Sequence, residues 1–298
     1  MKVLGIGDNV VDKYMHTKTM YPGGNALNIA VLSKMCGYES GYLGVFGDDD
    51  MAQHVYLTAV QLGLDLTHCR YVKGENGYSE VEITNGDRKF IGSNHGGVSR
   101  TNPLSLTKLD LEYIQSFELV HTSIFSYLEE ELPNIEKTNV FLSMDFSDKA
   151  EDVYFRQCVP YLDCACISCG DMELGKVKSL MRKIMEYGCK SLVLATRGEK
   201  GAVILDDSGR FYFQSPYLVE ATDTMGAGDS FIASFLTMYV DKMKTARDFP
   251  LAKKDIGNGI VFKKEFQKSL IQISMYQAAI FSARTCKCDG TFGYGKSF

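Results

Sequence analysis

Short apolar runs alternate with longer stretches whose apolar residues recur every three or four positions. "KVLGIG" at the N-terminus reads as a buried strand. "NALNIAVLSKMCG" follows with helical spacing and stops at Gly37. "SGYLGVFG" is the next strand, and "DDDMAQHVYLTAVQLG" is a helix with acidic residues at its positive end. Further strands are predicted at "FELVHTSIF", "NVFLSMDF", "DCACISC" and "KSLVLAT", with helices near 107–116, 128–138, 171–187, 226–243 and 268–285. Alternation at this spacing predicts βαβ units, hence a mainly parallel sheet with helices on both faces.

Two stretches break the pattern. Residues 13–20 and 69–91 read as strands and turns without a helix, and Asn85-Gly86 lies between two strand-like runs as a hairpin signal. They predict a small antiparallel sheet projecting from the main body. Near a cleft, such a sheet can act as a lid that excludes water.

Composition adds few constraints. The 298 residues are 45% hydrophobic and 23% charged, enough for one large α/β domain. No run approaches the ~18 apolar residues of a membrane span, and the N-terminus lacks the form of a signal peptide, so a cytoplasmic protein is expected. Nine irregularly spaced cysteines fit that expectation and lack zinc-site spacing; Cys164 and Cys166 would face one way on a strand, into the core. A net charge of −5 gives no reason to expect nucleic acid or membrane as partner. The lysines around 253–268 read as a solvated face.

Three segments carry candidate chemistry. GxxxxGK[ST] is absent, and "GIGDNV" has Val10 where a dinucleotide fingerprint needs its third glycine. Asp8 and Asp12, at the end of the first strand, suit either sugar hydroxyls or plain capping. In "YPGGNALNIA", Gly23-Gly24 permits close backbone approach, and Asn25 and Asn28 offer amide donors and acceptors. Asn25 is equally a candidate helix cap. "DTMGAGDSF" opens an apolar helix, so the amides of Gly226, Ala227 and Gly228 would attract an anion. Asp229 beside that anion site is electrostatically awkward unless it takes a proton from an attacking hydroxyl, although a helix cap is the plain alternative.

Together these motifs resemble the PfkB, ribokinase-like family of carbohydrate kinases. The first family signature is met by Gly23 to Ala30, then Gly37 and Gly47; the second by Asp223 to Asp229, with Ser234 as a mild departure. Within the family, "GDNVVDKY", "GDDD" and "LSMDFSDKAED" resemble the fructosamine kinases most. Asp145, Ser147 and Lys149 stand where many members have a D-x-N-x-R pattern.

The resemblance implies a ribokinase-like three-layer sandwich over the whole chain. It also implies ATP-dependent phosphorylation of the primary hydroxyl of a fructosamine such as fructoselysine. Asp229 would be the base and Gly226, Ala227 and Gly228 the anion hole. Asp8, Asp12, Gly24, Asn25 and Asn28 would hold the sugar, with Glu80, Glu82 and Arg88 of the lid as candidates for the charged tail. Thr196, Arg197, Gly198 and Gly201 would line the nucleotide phosphates. Asp223 would serve a monovalent cation such as K+. Glu173 would serve Mg2+, although Gly170 replaces the asparagine of the family's magnesium motif. Residues 245–266 resemble an insertion, and a homodimer through the lid is implied. Fructose, ribose, 2-keto-3-deoxygluconate or a nucleoside remain alternative substrates, and a non-catalytic binding protein remains an alternative role.

Overall fold

A computed structural model describes residues 1–84, 87–248 and 259–298. The strands are β1 (Lys2–Gly7), β2 (Val10–Tyr14), β3 (Thr19–Gly23), β4 (Glu39–Phe46), β5 (Arg70–Tyr71), β6 (Gly77–Thr84) and β7 (Asp87–Ser93). They continue as β8 (Leu119–Ser123), β9 (Phe141–Asp145), β10 (Cys164–Ser168), β11 (Leu192–Thr196), β12 (Ala202–Asp206), β13 (Phe211–Gln214) and β14 (Lys296–Ser297). Helices are α1 (Asn25–Met35), α2 (Asp50–Gln61), α3 (Val98–Thr101), α4 (Lys108–Ile114), α5 (Leu132–Glu136), α6 (Asp152–Cys158), α7 (Leu174–Glu186), α8 (Ala227–Asp248) and α9 (Gly259–Thr285).

The main sheet runs β13-β12-β11-β10-β9-β8-β1-β4-β5, parallel from β11 to β5, with β12 and β13 added antiparallel at one edge. Alternate residues of each strand feed opposite cores. Ala165 and Ile167 of β10 join the core of α3–α7, whereas Cys164 and Cys166 join the core of α1, α8 and α9. Those two thiols are fully buried, as the strand register required. The short antiparallel edge β12–β13 was not among the expected strands.

The second sheet has the order β14-β3-β2-β6-β7 and is antiparallel except where β2 pairs with β6. Val11 and Met20 from it share a core with α1 and α2. The expected boundaries shift in two places. Arg70 and Tyr71 pair with β4 and so belong to the main sheet. Lys296 and Ser297 enter the second sheet beside β3, a pairing between chain ends that no local pattern announces. Thr84 pairs with Asp87, while the Asn85-Gly86 turn itself lies outside the described residues. The expected insertion falls on the end of α8 and the start of α9, and its residues 249–258 lie outside the described residues.

Candidate active site

Parallel strands present their carboxyl ends to one cleft, where open α/β sheets bind ligands. Asp8 follows β1, Ser123 ends β8, Asp145 ends β9 and Thr196 ends β11; the N-terminus of α8 brings Asp229.

Asp8 is tied into the protein on both carboxylate oxygens. Its Oδ2 accepts from the backbone N of Asn25 at 2.6 Å. Its Oδ1 accepts from Ala26 N at 3.2 Å, Ser123 Oγ at 2.7 Å and Ser126 Oγ at 2.9 Å. Both oxygens are therefore occupied, and Asp8 is 3% exposed. It caps α1 from outside the helix, because the N-cap residue Gly24 has no side chain to do so. Gly24 has φ +107°, and a Cβ there would meet Asn9 Cα at 2.6 Å, so glycine is required.

With Asp8 as the cap, the Asn25 side chain is released for the cleft. Its Nδ2 donates to Asp145 Oδ2 at 2.8 Å and to Asp229 Oδ1 at 2.9 Å. Its Oδ1 lies 3.0 Å from His121 Nε2. Asn25 is thus not the cap of α1: it braces two carboxylates. Asn28 Nδ2 donates to Asp229 Oδ2 at 2.6 Å, and Asn28 Oδ1 is buried without a protein partner.

The environment raises both carboxyls. Burial, partly offset by the Asn28 and Asn25 donors and reinforced by the charge of Asp8, pushes Asp229 up to about 6. Burial, then the charge of Asp229, pushes Asp145 up to about 7, against donors from Ser147 N and Asn25. Asp229 therefore remains mainly ionised at neutral pH.

Gly226 has φ +68°, and a Cβ would strike Thr291 Cγ2 at 2.2 Å. The amide of Ala227 donates to Thr224 O at 3.2 Å, whereas among the described residues those of Gly226 and Gly228 find no protein acceptor. A Cβ on Gly228 would meet only Thr196 Oγ1, at 3.9 Å. A gap thus lies between two free amides at a helix start and the hydroxyl of Thr196, the chemistry of a phosphate site. Beside it, Arg197 N donates to Gly201 O, and Gly198 and Gly201 adopt positive φ in the turn that follows β11. The Arg197 guanidinium donates to Met172 O at 3.2 Å, so it turns toward the β10–α7 loop.

Asp223 is 8% exposed; its carboxylate accepts from Tyr14 Oη at 2.5 Å, Met225 N at 2.9 Å and Gly290 N at 2.8 Å. Asp12 of β2 is buried against Gly23. Glu173 is exposed and caps its own helix by accepting from Gly175 N at 2.9 Å. Among the described residues no group of three or more His, Cys, Asp or Glu side chains forms a metal cage. The side chain of Arg88 lies outside the described residues.

The profile of pfkB family carbohydrate kinases matches residues 2–252. The chain belongs to this family. It is 38% identical over 296 residues to a fructosamine kinase, FrlD, of Bacillus subtilis, covering 99% of this chain and 94% of that protein. It is 33% identical over 237 residues to a fructoselysine 6-kinase of Escherichia coli, covering 79% of this chain and 88% of that protein. Among solved structures, the ribokinase of Giardia lamblia superposes with a TM-score of 0.78 at 17% identity over 98% of this chain and 95% of that one. A fructokinase of Xylella fastidiosa superposes with a TM-score of 0.72 at 14% identity over 98% and 94%. The shared fold is thus ribokinase-like, as the motifs implied. Membership makes the chain a phosphotransferase that uses ATP and Mg2+ on a small-molecule sugar hydroxyl. No described helix is long and apolar enough to cross a membrane.

Asp145, His121 and Tyr14 join the expected site residues. Asp145 stood in the "DFSDK" stretch that marked the resemblance, yet no residue-level signal gave it a role. A lone histidine in an apolar strand, and a tyrosine 209 residues from its partner, carry no sequence signal at all.

Proposed function

We propose that this kinase transfers the γ-phosphoryl group of ATP to the primary hydroxyl of a fructosamine, with fructoselysine as the substrate and fructoselysine 6-phosphate as the product. The observation that carries the reaction is the carboxylate of Asp229 in the first turn of α8, beside the gap between Gly228 and Thr196. The substrate class is supported by the likeness to the fructosamine and fructoselysine kinases over most of the chain.

In this reading the Asp229 carboxylate takes the hydroxyl proton as the substrate oxygen attacks phosphorus. The bond from phosphorus to the bridging oxygen of ADP breaks, and ADP leaves. The free amides of Gly226 and Gly228, joined by Ala227 if its long bond yields, stabilise charge on the transferring phosphoryl. Thr196, Gly198 and Gly201 border the nucleotide phosphates. Asp12, Gly24 and Asn28 border the sugar, with the unpartnered Asn28 Oδ1 available to a hydroxyl. Mg2+ would offset phosphate charge, with Glu173 as the nearest counterpart of the family's acidic residue. A monovalent cation at Asp223 requires the Tyr14 hydroxyl to give up its place on that carboxylate. The second sheet serves as the lid, with Glu80 and Glu82 on it as candidates for the charged tail; Arg88, the third candidate, has its side chain outside the described residues.

The exposed Phe90 and Ile91 on the edge strand β7 support a homodimer formed lid to lid. Nine free thiols suit a reducing cytoplasm.

The test is ADP release with ATP, Mg2+ and, in parallel, fructoselysine, fructose, ribose and adenosine. Preferred turnover of fructoselysine, with phosphate on O6 by NMR, supports the assignment. Preference for any of the others overturns it.

A further inference from the structure

His121 lies on β8 and is completely buried. Its two ring nitrogens are nonetheless both engaged. Nε2 is 3.0 Å from Asn25 Oδ1 and Nδ1 is 2.8 Å from Ser143 Oγ. Burial alone depresses the ring to about 3, so the imidazole is neutral. Its tautomer follows from its neighbours. Two carboxylates demand donors from Asn25, which orients the amide nitrogen toward Asp145 and Asp229 and its oxygen toward His121. Nε2 therefore carries the proton and donates to Asn25 Oδ1; Nδ1 is then the acceptor for the Ser143 hydroxyl at 2.8 Å, in competition with Val120 O at 3.2 Å.

We infer that His121 is a positioning residue for phosphoryl transfer: its Nε2–H satisfies Asn25 Oδ1 and, with the two carboxylates, keeps the Asn25 amide in the orientation that holds the Asp145–Asp229 pair. Without the ring, Asn25 Oδ1 loses that buried donor, and a protonated Asp145 can take its place as donor to a rotated amide. Rotation would then remove the common donor of the pair. Loss of a donor raises a carboxylate's pKa, so the base would be protonated at higher pH. This inference rests on the reading of Asp229 as the base.

The groups facing the pair are few. Asp8 lies beneath both carboxylates, Asn28 approaches from α1 and the Ser147 amide from the loop after β9. Cys166 of β10 is a buried thiol held well above its ordinary value and therefore uncharged. Among the described residues, no lysine or arginine forms an ion pair with Asp8, Asp145 or Asp229. No nearby cation therefore offsets the loss of the amide donor.

The test compares wild type, His121→Ala and His121→Gln, whose amide can restore the donor to Asn25. The profile of kcat/KM against pH is measured with ATP, Mg2+ and fructoselysine. The acid limb of His121→Ala is expected about one unit higher than wild type. Its kcat/KM should be about fivefold lower near pH 6 and within about threefold at pH 9, with His121→Gln near wild type at both. Carboxyl 13C titrations of the substrate-free proteins should show the same upward displacement for Asp145 and Asp229. Because they need no turnover, they separate this inference from the substrate assignment: absent wild-type activity overturns the fructosamine reading alone. A His121→Ala limb and carboxyl titration coincident with wild type, or a glutamine variant as displaced as alanine, overturns the positioning role. So does histidine 15N NMR of the wild type showing the Nδ1–H tautomer at neutral pH.

Discussion

Asp145 and Asp229 share a single donor, the side-chain nitrogen of Asn25, which lies 2.8 Å from one carboxylate and 2.9 Å from the other. Two buried carboxyls bound to one NH2 group cannot both ionise without repulsion, and their midpoints rise to about 7 and about 6. Since transfer needs an ionised base, kcat/KM is expected to climb with pH through this range and level off above it. Asp145 ionises after Asp229 and is uncharged while Asp229 loses its proton, so Asp145→Asn should leave a single-step acid limb near pH 6, read from the same profile.

The same shifts set a stability trend. Both groups bind protons more tightly in the folded chain than at the ordinary 3.8 of aspartate. Their stabilising contribution is therefore fully present below about pH 4 and is lost as pH rises through 6 and 7. Asp145→Asn should be more stable than wild type at pH 8, by about 1–3 kcal/mol, with the advantage gone by pH 4. Thermal melts across that range check it.

Asp229→Asn keeps the shape of the base and can still be held by Asn25 and Asn28 after amide rotation. It should lower kcat by roughly 10²–10⁴-fold while leaving the melting temperature at or above that of wild type. Activity within about threefold of wild type would refute the role of Asp229 as base.

Two glycines two residues apart should respond in opposite ways. Gly228 is helical and its Cβ would make only an ordinary contact with Thr196 Oγ1 at 3.9 Å, so Gly228→Ala should fold and gain up to about 1 kcal/mol of stability. The added methyl fills the gap toward Thr196, and the KM for ATP should rise about tenfold or more. Gly226→Ala instead forces a side chain at φ +68° into Thr291, and should cost on the order of 1–3 kcal/mol. Melting curves and ATP titrations of the two variants separate the effects.

Tyr14 ties the second sheet to the loop before α8 through its 2.5 Å bond to Asp223. Tyr14→Phe removes a hydrogen bond to a charged group, which is worth about 1.5–3 kcal/mol. The sheet should then order less readily over the cleft, raising the KM for the sugar about tenfold with a smaller change in kcat. In a K+ titration, half-maximal activation at lower concentration in this variant would mark Asp223 as the cation ligand; no K+ dependence in either protein would exclude that role.

The alternation of apolar periods by itself determined the α/β class, the parallel run of strands and most helices, because each strand or helix must hide its own apolar face. The glycines of "GGNALNIA" and "DTMGAGDSF" were likewise legible, since positive φ and free helix-start amides are local properties. The antiparallel edge of the main sheet and the entry of Lys296–Ser297 into the second sheet were not, because strand partners are chosen by tertiary packing. The roles inside the site were decided in the same way. Asp8 became the cap of α1 because Ser123 and Ser126 from a distant strand end meet its carboxylate, and Asn25 became a brace because Asp145, His121 and Asp229 converge on one side chain. Residue type limits what a side chain can donate or accept; only the folded chain determines which of its possible partners it meets.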